Sequence, residues 1–271
     1  FLEPPQQQLN DLLEHYQTRR YIEAEKLATS ITEEFPKHPF AWKVLGAVLK
    51  QKGRISESLV ASQKSVQLNP QDAEAHNNLG VTLKEQGRLD EAEISYRKAI
   101  TLKPDYAEAH NNLAVLLKEL GRLDESEASY RQAITLKPDF AKAHNNLGII
   151  LKELEKLDEA EASYRKAITL KPDYAEAHSN LGGLLIKLNK LEEAKICYKK
   201  TIKLKPDYEE AKHLLSALTG KITNTAPRVY VEKLFNNHAI NFEHSLVNKL
   251  EYKAHNLITE LIVAKNPNIQ L

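Results

Sequence analysis

The sequence predicts an all-α chain built as a solenoid of helix–turn–helix repeats. Three observations carry this reading. First, His76-Asn77-Asn78-Leu79-Gly80 returns as His110-Asn111-Asn112-Leu113-Ala114, His144-Asn145-Asn146-Leu147-Gly148 and His178-Ser179-Asn180-Leu181-Gly182, at a step of 34 residues. Second, Pro36, Pro70, Pro104, Pro138, Pro172 and Pro206 keep the same step. Third, each period holds two apolar stripes with spacings of three and four. Self-similarity at a fixed period of this length is the mark of stacked supersecondary units.

The period 73–106 shows the elements in order. Ala75, Leu79 and Leu83 lie on one face of a first helix. Gly87 breaks the pattern. Leu89, Ala92, Tyr96, Ala99 and Leu102 form the apolar stripe of a second helix. Asp90 with Glu93 has capping-box spacing for that helix, and Asp105 with Glu108 has it for the next. Pro104 ends the second helix, since it lacks an N–H and clashes with the preceding turn. Small residues recur where two backbones approach: Gly80, Ala114, Gly148 and Gly182 at the eighth position, Ala92, Ser126, Ala160 and Ala194 at the twentieth. One unit cannot bury both stripes alone, so neighbours must stack.

These residues resemble the tetratricopeptide pattern of W-x2-L-G-x2-Y, A-x3-F and P. Trp42-Leu45-Gly46-Leu49 with Pro70 carries the likeness, as does His76-Leu79-Gly80-Leu83 with Ala92, Tyr96 and Pro104. The resemblance implies a right-handed superhelical solenoid over 5–220. Its units are a degenerate 5–38, then 39–72, 73–106, 107–140, 141–174 and 175–208, with a capping helix at 209–218. Ser58 and Ser62, Glu155 and Asn189, and Thr201 depart from the pattern, so the end units should be less stable than the middle ones.

The resemblance also implies that the second, fifth, sixth, ninth, twelfth and thirteenth positions of each unit face a concave groove. The sixth reads Val44, Asn78, Asn112, Asn146, Asn180, Leu214, and the fifth reads Lys43, Asn77, Asn111, Asn145, Ser179, His213. An asparagine amide offers both an acceptor and donors, so it can bond the C=O and N–H of an extended peptide whatever its side chains. The repeats resemble the asparagine-lined arrays of O-GlcNAc transferases, which implies a peptide or partner protein held along the groove. The competing reading is that duplicated repeats share asparagines without using them. Lys84, Lys118 and Lys152 at the twelfth position complete the candidate binding set, beside Glu85, Glu119 and Glu153. Their mixed signs make neither a basic nor an acidic channel, and a solvated helix surface is the favoured reading of them.

Other chemistry is disfavoured. Lys+Arg number 38 and Asp+Glu 37 in 271 residues, so no basic face for nucleic acid or a membrane surface is expected. No apolar run approaches the ~18 residues of a membrane span. His76, His110, His144 and His178 stand one per repeat instead of at i, i+3 or i+4, which argues for packing in place of the family tryptophan and against a metal. Tyr96, Tyr130, Tyr164 and Tyr198 read as core. The lone Cys197 excludes an internal disulfide, and a reducing, cytoplasmic setting fits. No cofactor is implied and no catalytic residue assigned.

Beyond a linker at 221–227, the text changes. Val229-Tyr230-Val231-Glu232-Lys233-Leu234-Phe235 and Phe242-Glu243-His244-Ser245-Leu246-Val247 predict helices in 228–271. This stretch resembles the lead-in to bacterial S-adenosylmethionine-dependent methyltransferase domains that follow tetratricopeptide arrays. No glycine follows Gly220, so a cofactor loop of that kind is not expected within the chain. With no methionine present, the sequence reads as part of a longer polypeptide. Three functions remain open at this level: a non-catalytic peptide-binding scaffold, the recruiting arm of a larger methyltransferase, and a self-associating structural module.

Overall fold

The computed structural model describes residues 3–220, in which every regular element is an α-helix. The linker and helices expected at 221–271 lie outside the described residues. The chain divides into two compact units, Phe1–Lys190 and Leu191–Leu271. The first contains α1 (Gln6–Gln17), α2 (Tyr21–Glu34), α3 (Pro39–Gln51), α4 (Ile55–Leu68), α5 (Ala73–Glu85), α6 (Leu89–Leu102), α7 (Ala107–Glu119), α8 (Leu123–Leu136), α9 (Ala141–Glu153), α10 (Leu157–Leu170) and α11 (Ala175–Lys187). The second contains α12 (Leu191–Leu204) and α13 (Glu209–Leu218), which pack together.

The pairing of helices follows from the turns. Gly53, Gly87 and Gly121 sit at φ +75°, +76° and +73°, the left-handed region that ends a first helix. Arg19, Glu155 and Asn189 hold the same place at φ 60°, 59° and 59°, at a steric cost glycine would not carry. At the eighth position, a Cβ on Gly80 would stand 2.7 Å from the Tyr96 ring, and one on Gly148 would stand 2.7 Å from Tyr164. In these two units the tyrosine ring fills the space that a Cβ would need.

The capping boxes expected of Asp90/Glu93 and Asp105/Glu108 do not form. Helix α6 begins at Leu89 with Arg88 at its N-cap, which puts Asp90 inside the first turn, where it meets the helix dipole instead of capping. Glu93 reaches Arg97 and Arg122. Tyr106 occupies the N-cap of α7. A side-chain cap does form at α5, where Asp72 accepts from the Ala75 N–H at 3.0 Å.

Stacking in the first unit uses both helix rows. Each second helix contacts the next first helix, and the first helices touch their successors, α1 to α3, α3 to α5, α5 to α7, α7 to α9 and α9 to α11. Tyr96, Tyr130, Tyr164, Leu116, Ile150 and Leu184 are among the fully buried side chains. The second helices are tied by carboxylate clamps: Glu93 to Arg122, Glu127 to Lys156 and Glu161 to Lys190, with Glu25 joined to Arg54 and Lys52. Leu59 stands at the equivalent place in α4.

Candidate functional site

The first helices carry the candidate residues side by side. The fifth-position Asn77, Asn111 and Asn145 are 6%, 2% and 4% exposed. The sixth-position Asn78, Asn112, Asn146 and Asn180 are half-buried, as are Lys84, Lys118 and Lys152. The face therefore has an inner and an outer asparagine row, and only the outer one meets solvent to any extent.

The two rows are cross-bonded. Asn112 Nδ2 donates to Asn77 Oδ1 at 2.9 Å, and Asn180 Nδ2 donates to Asn145 Oδ1 at 3.0 Å. Asn111 and Asn145 donate to their neighbours Asn112 and Asn146 at 3.3 Å. Asn146 breaks the pattern: its amide lowers the Tyr130 hydroxyl pKa against the rise from burial. Asn111 Oδ1, where the pattern would have placed that amide, is buried without a partner among the described residues. The converse holds one step on: Asn180 turns to Asn145, and the buried Tyr164 hydroxyl has no partner among the described residues.

Asn78 is different. Its backbone carbonyl accepts from Thr82, but its side-chain amide has no hydrogen bond among the described residues. The preceding unit has Lys43 where an asparagine acceptor would be and Ser62 where a tyrosine hydroxyl would be. Lys43 donates to Asp72 and to Glu74, each at 2.9 Å. Burial alone would lower the Lys43 pKa, but the two carboxylates outweigh it and raise it.

The lysines of the candidate set are engaged from repeat to repeat. Lys84 meets Glu119 at 2.6 Å, Lys118 meets Glu153 at 3.2 Å, and Lys50 meets Glu85 at 3.8 Å. The ladder changes at Lys187, which takes the glutamate's place and pairs with Glu155 at 2.6 Å. Between α7 and α9, Val115, Ile149, Tyr130, Asn146, Lys118 and Glu119 line a pocket of about 270 Å³.

The histidines pack, and do more. His76, His110, His144 and His178 present Nε2 to the carbonyls of Pro70, Pro104, Pro138 and Pro172 at 3.0–3.1 Å. The Trp42 indole donates to the Pro36 carbonyl at 2.9 Å in the same way. Histidine thus replaces tryptophan with its N–H intact, since a carbonyl can only accept. Burial lowers the His144 pKa. Cys197 is buried in α12, with Thr201 donating to its carbonyl at 3.0 Å.

Sequence reasoning missed the tyrosine–asparagine interactions. At Tyr106, the last position of its unit, burial and the charges of Glu74, Glu108 and Asp72 push the pKa up to about 12, against a lowering influence of Asn77. One signal was available: Lys43 and Asp72 depart together at the two positions where 73–106 has Asn77 and Tyr106.

With this geometry in view, family comparisons agree on the repeat. The TPR repeat model matches residues 46–87, 82–121 and 116–155, and the Tetratricopeptide repeat model matches 141–174 and 175–208. No curated protein matches the chain. Among solved structures, it is similar to a chain of the APC/C hetero-tetramer Cut9-Hcn1 at TM-score 0.71 and 16% identity, over 78% of this chain and 42% of that one. It is also similar to pilF of Pseudomonas aeruginosa, at TM-score 0.63 and 21% identity, covering 81% and 96%. YrrB, described as a TPR protein with an unusual peptide-binding site, aligns at TM-score 0.55 and 21% identity, covering 69% and 96%. At such identities the likeness is one of fold.

Proposed function

The chain belongs to the tetratricopeptide repeat family, and from that premise we propose that it is a non-catalytic scaffold whose first-helix face holds an extended peptide or a peptide-like segment of a partner protein. The observation that carries this is the outer asparagine row, one amide per repeat at Asn78, Asn112, Asn146 and Asn180 on helices that touch in succession. Adjacent packed helices lie ~8–10 Å apart, about three residues of extended chain at ~3.3 Å each. A strand laid across the helices would thus meet one amide every third residue. The fold-level likeness to YrrB, itself a peptide binder by description, supports this. So does the resemblance of the rows to O-GlcNAc-transferase arrays.

The test uses peptides selected from a random phage-displayed library on the full chain, labelled and titrated by fluorescence anisotropy. Val115→Arg and Ile149→Arg on the first-helix face should each weaken binding by about tenfold, roughly 1.4 kcal/mol. Ile94→Arg on α6, where Ile94 is 69% exposed, should leave it unchanged. The reverse pattern would put the binding face elsewhere and sink the proposal.

A second reading rests on the methyltransferase-like text of 228–271: the chain would recruit substrate for a catalytic domain beyond it. Calorimetry with S-adenosylmethionine should then show no heat of binding to this chain alone, and saturable heat would contradict the absence of a cofactor site.

A further inference from the structure

We infer that the peptide is anchored at one end of the asparagine row, by Asn78 at the α3–α5 interface, and that the segment bound there is uncharged and extended with a small aliphatic side chain beside the paired backbone amide. This rests on the peptide-binding reading above and adds to it an unequal division of labour among four residues that look equivalent in sequence.

The argument starts from what each amide already does. Asn112 Nδ2 is engaged with Asn77, Asn180 Nδ2 with Asn145, and Asn146 Oδ1 accepts from Asn145. A peptide carbonyl at Asn112 or Asn180, or a peptide N–H at Asn146, must replace an existing bond, so the net gain is an exchange. If Asn112 turns away, Asn77 Oδ1, on a residue only 6% exposed, loses the donor that reaches it from the next repeat, and an unsatisfied buried acceptor is costly. Asn78 has no such bond to surrender. Its carbonyl and N–H groups are both available to a peptide backbone, and it can form both bonds against water alone.

The reason lies in two departures of the preceding unit. Lys43 replaces the asparagine acceptor, and Asp72 with Glu74 hold it away in ion pairs. Ser62 replaces the tyrosine, and its short hydroxyl lies beside Gly46. Both partners that would occupy Asn78 are therefore absent from that interface.

The chemistry of the occupant follows from the neighbours. Val81, one turn from Asn78, and Ala47, at the same position on α3, are half-buried. They offer a shallow apolar floor fit for alanine or valine. The cations here already face carboxylates, Lys43 with Asp72 and Glu74 and Lys50 with Glu85. An added charge would have to break a pair to be matched, which favours a neutral segment.

The test uses the same library-selected peptides on the full chain. Asn78→Ala should weaken binding at least about tenfold, while Asn112→Ala and Asn180→Ala each change it less than about threefold, with thermal unfolding confirming the fold of each. Lys43→Asn combined with Asp72→Tyr rebuilds the ordinary repeat around Asn78 and gives its amide an internal partner. That double variant should keep the fold and weaken binding several-fold without touching Asn78 itself. An Asn78→Ala change under threefold, or unaltered affinity in the double variant, overturns the inference while leaving the peptide-binding face intact. Failure of any peptide to enrich, or indifference to Val115→Arg and Ile149→Arg, removes the face itself and this inference with it.

Discussion

In the unit 73–106 the Tyr96 ring crosses α5 over Gly80, Tyr106 interacts with Asn77, and Glu93 clamps Arg122 of the next unit. In 39–72 the same three places hold Ser62 beside Gly46, Asp72 on Lys43, and Leu59 with no clamp at all. The helix bounds relative to each unit's first residue are identical. The backbone therefore tolerates two vocabularies provided residues change in sets: an amide–phenol pair becomes an ammonium–carboxylate pair, and a large ring becomes a short hydroxyl. At the twentieth position, where 73–106 has Ala92, Ser58 donates to the Gly46 carbonyl at 2.8 Å and lies 3.2 Å from the Thr82 hydroxyl. The comparison teaches that the repeat specifies stacking geometry, while the contents of each interface remain free to set what the exposed amides can do.

The largest effect that tests this comparison is at the crossing tyrosine. Tyr164 is 0% exposed, and its removal in Tyr164→Ala should cost about 3–5 kcal/mol in urea unfolding. Ser62→Ala, at the matching place in 39–72, should cost no more than ~1.5 kcal/mol. Equal losses would show that Ser62 supports as much packing as the ring, and that the two vocabularies are not distinct.

Next comes the exchanged pair. The Lys43 and Asp72 side chains are 16% and 19% exposed, so their bond is poorly screened. Lys43→Ala leaves Asp72 half-buried without its cation and should cost about 1.5–3 kcal/mol. A double-mutant cycle with Asp72→Ala should return a coupling of at least ~0.5 kcal/mol. Additivity would mean the two departures arose independently.

How far the sequence reveals all this depends on the kind of position. The helix pairs were legible because apolar spacing and the left-handed turn are local properties, and Gly53, Gly87 and Gly121 mark them directly. Even where Glu155 and Asn189 replace glycine, the period carries the assignment across. The capping boxes misled because the spacing of Asp90 and Glu93 says nothing about which residue begins the helix. The asparagine rows were legible as rows. Their partners were not, because Asn112 bonding Asn77 joins residues 35 apart in sequence through a stacking geometry that no single unit contains. The freedom of Asn78 follows from Lys43 and Ser62, both visible in the text, but neither signals its effect until the neighbouring helix is in place.

A smaller effect separates the interfaces by pH. Burial would raise the carboxyl pKa of Glu93 and Glu127, but their two cations outweigh it, and Lys190 with Arg165 likewise lowers Glu161. The folded pKa lies below the unfolded one. The stabilisation is therefore complete above the unfolded value of about 4.3 and is lost as pH falls through the folded value. Each clamp is worth on the order of 0.2–1 kcal/mol. The melting temperature should fall as pH drops below about 4.3, and the combined Glu93→Gln, Glu127→Gln and Glu161→Gln variant should flatten that fall. Leu59 supplies the internal control, since its interface has no such carboxylate to protonate. An unchanged slope in the triple variant would place the acid sensitivity elsewhere.

The smallest effect has the least intuitive sign. Tyr130 and Tyr164 occupy one position in successive units, and burial pushes both hydroxyl pKa values up. The Asn146 amide lowers the Tyr130 pKa against burial; Tyr164 has no partner among the described residues, Asn180 having turned to Asn145. A buried hydroxyl without a partner costs about 1–3 kcal/mol, so deleting it should help. Tyr164→Phe should therefore leave stability unchanged or raise it by up to ~1 kcal/mol. Tyr130→Phe removes the hydroxyl that Asn146 acts on but frees Asn146 to reach the orphaned Asn111 Oδ1, and the two changes should nearly cancel, within ~0.5 kcal/mol. If Tyr164→Phe is instead the more damaging of the two, its hydroxyl has a partner in solution and the exchange of amides between the rows is not what decides these bonds.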